Sequence, residues 1–267
     1  VSAGGATEVP DPVPARSFQE PTVRDLVVNA LLWGVGVSFL VPYLGASTLL
    51  YQVMPSHRAD FLGKFYCWAQ LGLTFNRWRA VVHPDVDPGR PYIFAQNHTN
   101  HFDHVAMYNA TPHFKQGLEL ETHFAYPFYG WFMKARGTIP VPKDRQGRTE
   151  AVREGIRREI EAGRSILAFP EGTRTVGGRL GPLRKGIFVI ARDLGVPIVP
   201  TAVTGAFDMM RKGSLVIRPG NEITVYCDAP VEMAGVSDED IPAKMEEVRR
   251  ALAGRIDAYW ADKVKSR

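Results

Sequence analysis

The stretch Pro91-Tyr92-Ile93-Phe94-Ala95-Gln96-Asn97-His98-Thr99-Asn100-His101-Phe102-Asp103-His104 passes from an apolar run into a polar, histidine-rich segment. Pro91 to Gln96 reads as a strand, since a run of this length bounded by turn formers suits a buried strand. It delivers Asn97 and His98 to a strand's carboxyl end, the edge where ligands collect in αβ sheets. A helix starting near Phe102 or Asp103 would let the Asp103 carboxylate fold back onto the His98 imidazole. The carboxylate would then fix the tautomer and leave Nε2 to take a proton from a substrate hydroxyl. Two other readings fit the same residues. Asp103 can be an ordinary helix N-cap beside a turn histidine, or His98, His101, Asp103 and His104 can belong to a metal-dependent hydrolase.

A second string, Phe169-Pro170-Glu171-Gly172-Thr173-Arg174-Thr175, takes over at the end of the apolar run Ser165 to Phe169, a buried-strand candidate. Pro170 ends that strand, so the loop again lies at a strand terminus. Gly172 permits close backbone approach. Arg174 can chelate a phosphate through two N–H groups, Thr173 and Thr175 add hydroxyls, and Glu171 can orient the arginine or receive substrate hydroxyls. The alternative is a structural ion pair between Glu171 and Arg174.

Outward from these strings, further strands are predicted at Thr138 to Val141, Ile198 to Thr204, Leu215 to Ile217 and Ile223 to Tyr226. Helices are predicted at His104 to Ala110, Glu150 to Ala162 and Gly186 to Leu194. A closing amphipathic helix carries Ile241, Met245, Val248, Leu252, Ile256 and Tyr259. The alternation predicts an α/β fold with a mixed, mostly parallel sheet flanked by helices.

The amino-terminal third is different. Residues 1–21 carry Pro10, Pro12, Pro14 and Pro21 and few large apolar side chains, which predicts a flexible lead-in. Leu26 to Met54 has no charged side chain, and that length is enough to reach across a bilayer. Pro42 should end or kink a helix there, predicting a membrane-associated helical hairpin that embeds in the bilayer. Arg58 to Trp78 interleaves aromatic and basic residues, as an interfacial helix does. The predicted division is therefore lead-in 1–21, membrane-associated segment 22–80 and αβ domain 81–267.

Composition narrows the function classes. The 267 residues are 45% hydrophobic, enough for one large core, and the net charge of +4 favours anionic partners. Cys67 and Cys227 form no disulfide or zinc pattern, which points to a reducing compartment. The basic residues form no aromatic-interleaved stripe on one element, so no nucleic-acid partner is expected.

Taken together, Asn97, His98 and Asp103 with Phe169 to Thr175 resemble the PlsC-type glycerolipid acyltransferase family, whose motifs are NHxxxxD and FPEGTR followed by serine. Thr175 replaces that serine. Leu183-Arg184-Lys185-Gly186, Val196 to Pro200, and Pro127 to Phe132 with Gly137 to Val141 are similar to its other blocks. The resemblance implies a membrane-associated acyltransferase on the cytoplasmic face, moving a fatty acyl group from acyl-CoA or acyl carrier protein to 1-acyl-sn-glycerol 3-phosphate. It implies His98 and Asp103 as the catalytic pair and Asn97, Glu171, Gly172, Thr173, Arg174 and Thr175 as substrate-binding residues, with Lys143 and Arg145 as further phosphate ligands. No metal or cofactor is implied beyond the acyl donor. The segment around Pro142 and Lys143 departs from the family pattern, which leaves other acceptors open: glycerol 3-phosphate, another lysophospholipid or a lyso-aminolipid. A catalytically silent lipid-binding protein is the alternative of a different class.

Overall fold

The computed structural model describes residues 15–144 and 146–265. Helices α1 (Val23–Leu50) and α2 (Asp60–Leu73) precede strand β1 (Arg77–Val82) and strand β2 (Ile93–Gln96). Then come α3 (Asp103–Tyr108), β3 (Lys115–Leu120), α4 (Tyr129–Arg136), β4 (Ile139–Val141), α5 (Arg148–Glu161) and β5 (Ser165–Ala168). The chain closes with α6 (Gly186–Asp193), β6 (Ile198–Thr204), α7 (Ala206–Met209), β7 (Glu222–Cys227) and α8 (Ile241–Lys265).

The seven strands form one sheet in the order β1-β7-β6-β2-β5-β3-β4. Only β6 and β7 pair antiparallel; the other neighbours are parallel. The expected mixed, mostly parallel sheet is therefore the one that forms. Strand β2 sits at its centre and is buried on both faces. Its side chains alternate: Phe94 packs with Met107, Val105 and Cys67 on the α2 and α3 side. Ile93 and Ala95 pack with Ile156, Phe188, Val248 and Leu252 on the side covered by α5, α6 and α8. In α8 the buried stripe ends on Trp260 rather than Tyr259, whose hydroxyl donates to Asp208 at 2.5 Å.

Helix α1 is long and apolar enough to cross a membrane, and only 6% of its most apolar window is buried in the protein. A long apolar helix left uncovered marks the protein as membrane-associated. The helix does not break at Pro42 but continues to Leu50. Among apolar surroundings a broken helix would strand backbone N–H and C=O groups without water, so one lost bond at a proline is the cheaper outcome. The hairpin is instead formed by α1 and α2, joined through residues 51–59. Tyr43 stacks on Tyr66 and donates to the Leu62 carbonyl at 2.5 Å, while Phe39 tilts against Phe65.

Three other expectations are corrected. Residues 1–14 of the lead-in lie outside the described residues, but 15–21 are not loose. Ala15 is buried, the Arg16 N–H donates to Asp208 at 2.6 Å, and the Ser17 carbonyl accepts from Arg211 at 3.0 Å. The interfacial helix ends at Leu73, and Trp78 belongs to edge strand β1. Leu215 to Ile217 is no strand, because its backbone is held by a side chain of α1 instead of a neighbouring strand: Asn29 bonds both the N–H and the carbonyl of Ile217.

Candidate active site

Strands β2 and β5 run parallel as neighbours, with Ala95 opposite Ala168. Residues leaving their carboxyl ends must therefore meet, which is why two strings so far apart in sequence form one site. The His98 ring stacks on Phe169 with centroids 3.9 Å apart. The Thr175 N–H donates to the His98 carbonyl at 2.8 Å.

The Nδ1 of His98 lies 2.8 Å from Oδ2 of Asp103. Asp103 is 1% exposed, and the same Oδ2 accepts the N–H groups of Thr99 and Asn100, the latter at 2.9 Å. Its Oδ1 accepts the Thr99 hydroxyl at 2.6 Å. Four donors converge on this carboxylate. A carboxylate offers only acceptors, so the His98 proton sits on Nδ1 and Nε2 is left as the basic nitrogen. Asp103 does not act as an N-cap: Phe102 occupies that position, and the carboxylate serves the turn before the helix.

Other polar groups make this turn rigid. Asn97 is buried and clamps β6, accepting from the Val203 N–H at 2.7 Å and donating to its carbonyl at 3.0 Å. It thus holds the turn that carries His98 to the sheet, and its side chain is spent on protein backbone. Asn100 reaches α7, donating to the Ala206 carbonyl at 2.6 Å. Gln96 donates to the Asp103 carbonyl at 2.8 Å.

The Glu171 carboxylate is buried and does not pair with Arg174. Its Oε1 accepts the His98 N–H at 2.7 Å and its Oε2 accepts the Gly181 N–H at 2.8 Å. Burial raises its pKa above the ordinary value, partly offset by these two donors. Gly172 has φ +66°, and a Cβ there would lie 2.6 Å from Nε of Arg184. Arg184 itself donates to the Glu171 carbonyl at 3.1 Å, so glycine lets the arginine lie flat on the loop.

Arg174 extends from this loop to His101, with Nη1 2.8 Å from Nε2 of the imidazole. Burial, and next the Arg174 charge, hold the His101 pKa below its ordinary value, which suits a neutral ring accepting from the guanidinium. Lys212, which no motif contains, donates to the Thr173 hydroxyl at 3.1 Å and to the Arg174 carbonyl at 3.2 Å. Lys143 is exposed on the loop after β4, where its backbone N–H donates to Glu121 at 2.6 Å and its carbonyl accepts from Arg148. Arg145 lies outside the described residues. Among the described residues no three His, Cys, Asp or Glu side chains are placed to hold one metal ion.

The arrangement offers a histidine base, a buried carboxylate behind it, and cations on the adjoining loop. Residues 79–219 match the family model described as Acyltransferase. The chain is 29% identical to the chloroplastic 1-acyl-sn-glycerol-3-phosphate acyltransferase of Arabidopsis thaliana, covering 82% of this chain and 63% of that protein. It is 30% identical to the 1-acyl-sn-glycerol-3-phosphate acyltransferase of Saccharomyces cerevisiae, over 73% of this chain and 67% of that one. Against the Brassica napus chloroplastic enzyme of the same name, 30% identity covers 53% of this chain but only 41% of the relative. The chain thus spans about half the length of several curated relatives it matches. Its fold is shared with the crystal structure of the 1-acyl-sn-glycerophosphate acyltransferase PlsC from Thermotoga maritima, at TM-score 0.72 and 18% identity, covering 92% of this chain and 98% of that one. With both strings inside a family match that takes in more than half of its residues, this chain belongs to the acyltransferase family.

Proposed function

We propose that the protein transfers a fatty acyl group from a thioester of coenzyme A or acyl carrier protein to the free hydroxyl of 1-acyl-sn-glycerol 3-phosphate, giving phosphatidic acid. The observation that carries this reading is the His98 imidazole with Nδ1 engaged by Asp103 at 2.8 Å and Nε2 left for a substrate proton. Nε2 of His98 removes the hydroxyl proton as the alkoxide oxygen attacks the thioester carbonyl. The tetrahedral intermediate collapses with loss of the thiolate, which takes the proton back from the imidazolium. Asp103 stays ionised throughout and stabilises that imidazolium. No protein nucleophile is needed, because the acceptor supplies one.

Arg174 serves as phosphate ligand, with Thr173 and Thr175 beside it, while Asn97, Glu171 and Gly172 shape the turn on which His98 rides. Helix α1 seats the enzyme at the membrane where acceptor and product reside, on the cytoplasmic face that supplies acyl thioesters. The names carried by the relatives support the acceptor. The test is release of free thiol from palmitoyl-CoA with a panel of acceptors: 1-acylglycerol 3-phosphate, glycerol 3-phosphate, other lysophospholipids and a lyso-aminolipid. Turnover with the first and its loss in His98→Ala are expected. Preference for another acceptor reassigns the substrate, and full turnover in His98→Ala removes the mechanism.

A further inference from the structure

Beside Arg174 stands a second cation that has no carboxylate partner among the described residues. The Lys212 ammonium is half-buried and held by Thr173 Oγ1 at 3.1 Å and the Arg174 carbonyl at 3.2 Å. Several surface arginines are neutralised: Arg157 by Glu154 and Glu161, Arg192 by Asp193 and Asp238, Arg255 by Asp228. Among the described residues neither Arg174 nor Lys212 forms an ion pair, and the side-chain partner of Arg174 is the His101 imidazole. The Lys212 ammonium rests on the backbone of Arg174, so one loop gathers two cationic side chains, and a dianion bound there would be attracted by both.

The Lys212 loop is also tied to the apolar helix. Asn29 of α1, 7% exposed, accepts from the Ile217 N–H at 2.6 Å and donates to its carbonyl at 3.0 Å. Trp33 of α1 donates to the Leu215 carbonyl at 2.8 Å. The chain between Lys212 and Ile217 thus runs from the loop that carries Arg174 to the apolar helix α1.

Resting on the acceptor proposed above, we propose that Lys212 is a second phosphate ligand, forming with Arg174 a two-cation clamp for the phosphate monoester of the acceptor lipid, and that α1 positions it through Asn29 and Trp33. The same phosphate chemistry exists on coenzyme A, so the two sources are separated by measuring KM for each substrate. Initial rates are taken in detergent micelles for the wild type, Lys212→Gln and Lys212→Arg, with palmitoyl-CoA and 1-acylglycerol 3-phosphate. Lys212→Gln should raise the acceptor KM about 10- to 100-fold, the worth of one hydrogen bond to a charged group. Its kcat and its KM for palmitoyl-CoA should stay within about twofold, and Lys212→Arg should recover most of the loss. A rise confined to the palmitoyl-CoA KM assigns Lys212 to the donor and overturns the clamp. So does a fall in kcat with the acceptor KM unchanged, which is the signature of a residue that only props the loop. Binding of 1-acylglycerol 3-phosphate to His98→Ala with and without Lys212→Gln is titrated in the same micelles. If the wild type acylates nothing, the proposed reaction fails, yet weaker binding on removing Lys212 still supports the clamp. Equal or absent binding overturns it.

Discussion

The Glu171 carboxylate holds the backbone of His98: its Oε1 accepts the His98 N–H at 2.7 Å. The acid of one string therefore sets the position of the base in the other, from 73 residues away. Glu171→Gln keeps the shape but turns an N–H toward one of the two backbone donors. We expect a loss of about 1–3 kcal/mol in stability and a fall in kcat of about 10- to 100-fold through displacement of His98. Because burial raises the Glu171 pKa above 4.5, the native state binds its proton more tightly than the unfolded chain. Its contribution to stability therefore declines as pH climbs from about 4.5 through the raised native value. Melting profiles against pH should lose this component in Glu171→Gln.

Asp103→Asn places an amide among four groups that all donate to the carboxylate. The amide cannot satisfy them, and it favours the tautomer with the proton on the wrong nitrogen of His98. A fall in kcat on the order of 10³-fold or more is expected, with acceptor KM little changed. If Asp103 only shaped the turn, stability and kcat would fall together, and activity would return where the fold is kept by low temperature.

The central strands were legible because β2, β5 and β6 are apolar runs between turn formers, and parallel pairing then brings their ends together. Strands β1 and β3 were not. Arg77 and Arg79 lie on an exposed edge, and β3 opens with Lys115 and Gln116, both buried, whose side-chain N–H groups donate to carbonyls that no local pattern announces. Pro42 was misread by a rule that holds in water, where broken helical bonds are remade by solvent. In the site, the spacing of His98 and Asp103 was readable because both belong to one turn. The grip of Asn97 on Val203, 106 residues away, and the place of Lys212 arise only from the sheet order.

If Arg174 binds the acceptor as proposed, His101 should give that binding a pH dependence. Its pKa lies below 6.5 through burial and then the Arg174 charge, so the ring stays neutral and keeps accepting from Arg174 as pH falls through 6.5. Only below that depressed value does protonation turn the contact into repulsion. The component of acceptor KM that depends on His101 should stay flat as pH falls through 6.5 and rise only below the depressed value. His101→Asn should remove this component from KM profiles while leaving palmitoyl-CoA KM unchanged.

Asn29→Ala frees Ile217 from α1 and leaves its buried N–H without a partner. The cost should be about 1–3 kcal/mol, read as a lower melting temperature in detergent. The loop carrying Lys212 would loosen as well, so acceptor KM should rise while donor KM does not. A variant that melts earlier with an unchanged acceptor KM would show that α1 supports the fold without setting the loop.

Lys115 is 1% exposed on β3, with Nζ donating to the carbonyls of Tyr108 at 2.9 Å, Thr111 at 3.1 Å and His113 at 3.0 Å. These bonds staple the end of α3, the helix that begins with Asp103, to the sheet. Burial pushes the amine down from 10.5 to about 7. Below about 7 both native and unfolded chains carry the proton; between about 7 and 10.5 the unfolded chain alone retains it. The unfolded state then binds more protons, so stability rises with pH across that window, by at most about 1.4 kcal/mol per unit. Lys115→Met leaves three buried carbonyls without their donor and should cost on the order of 3 kcal/mol at neutral pH. It should also abolish the rise between pH 7 and 10.5, because no titrating group remains at that position. Denaturant midpoints measured against pH for both proteins separate the two effects: the hydrogen bonds set the offset between the curves, and the buried charge sets the slope.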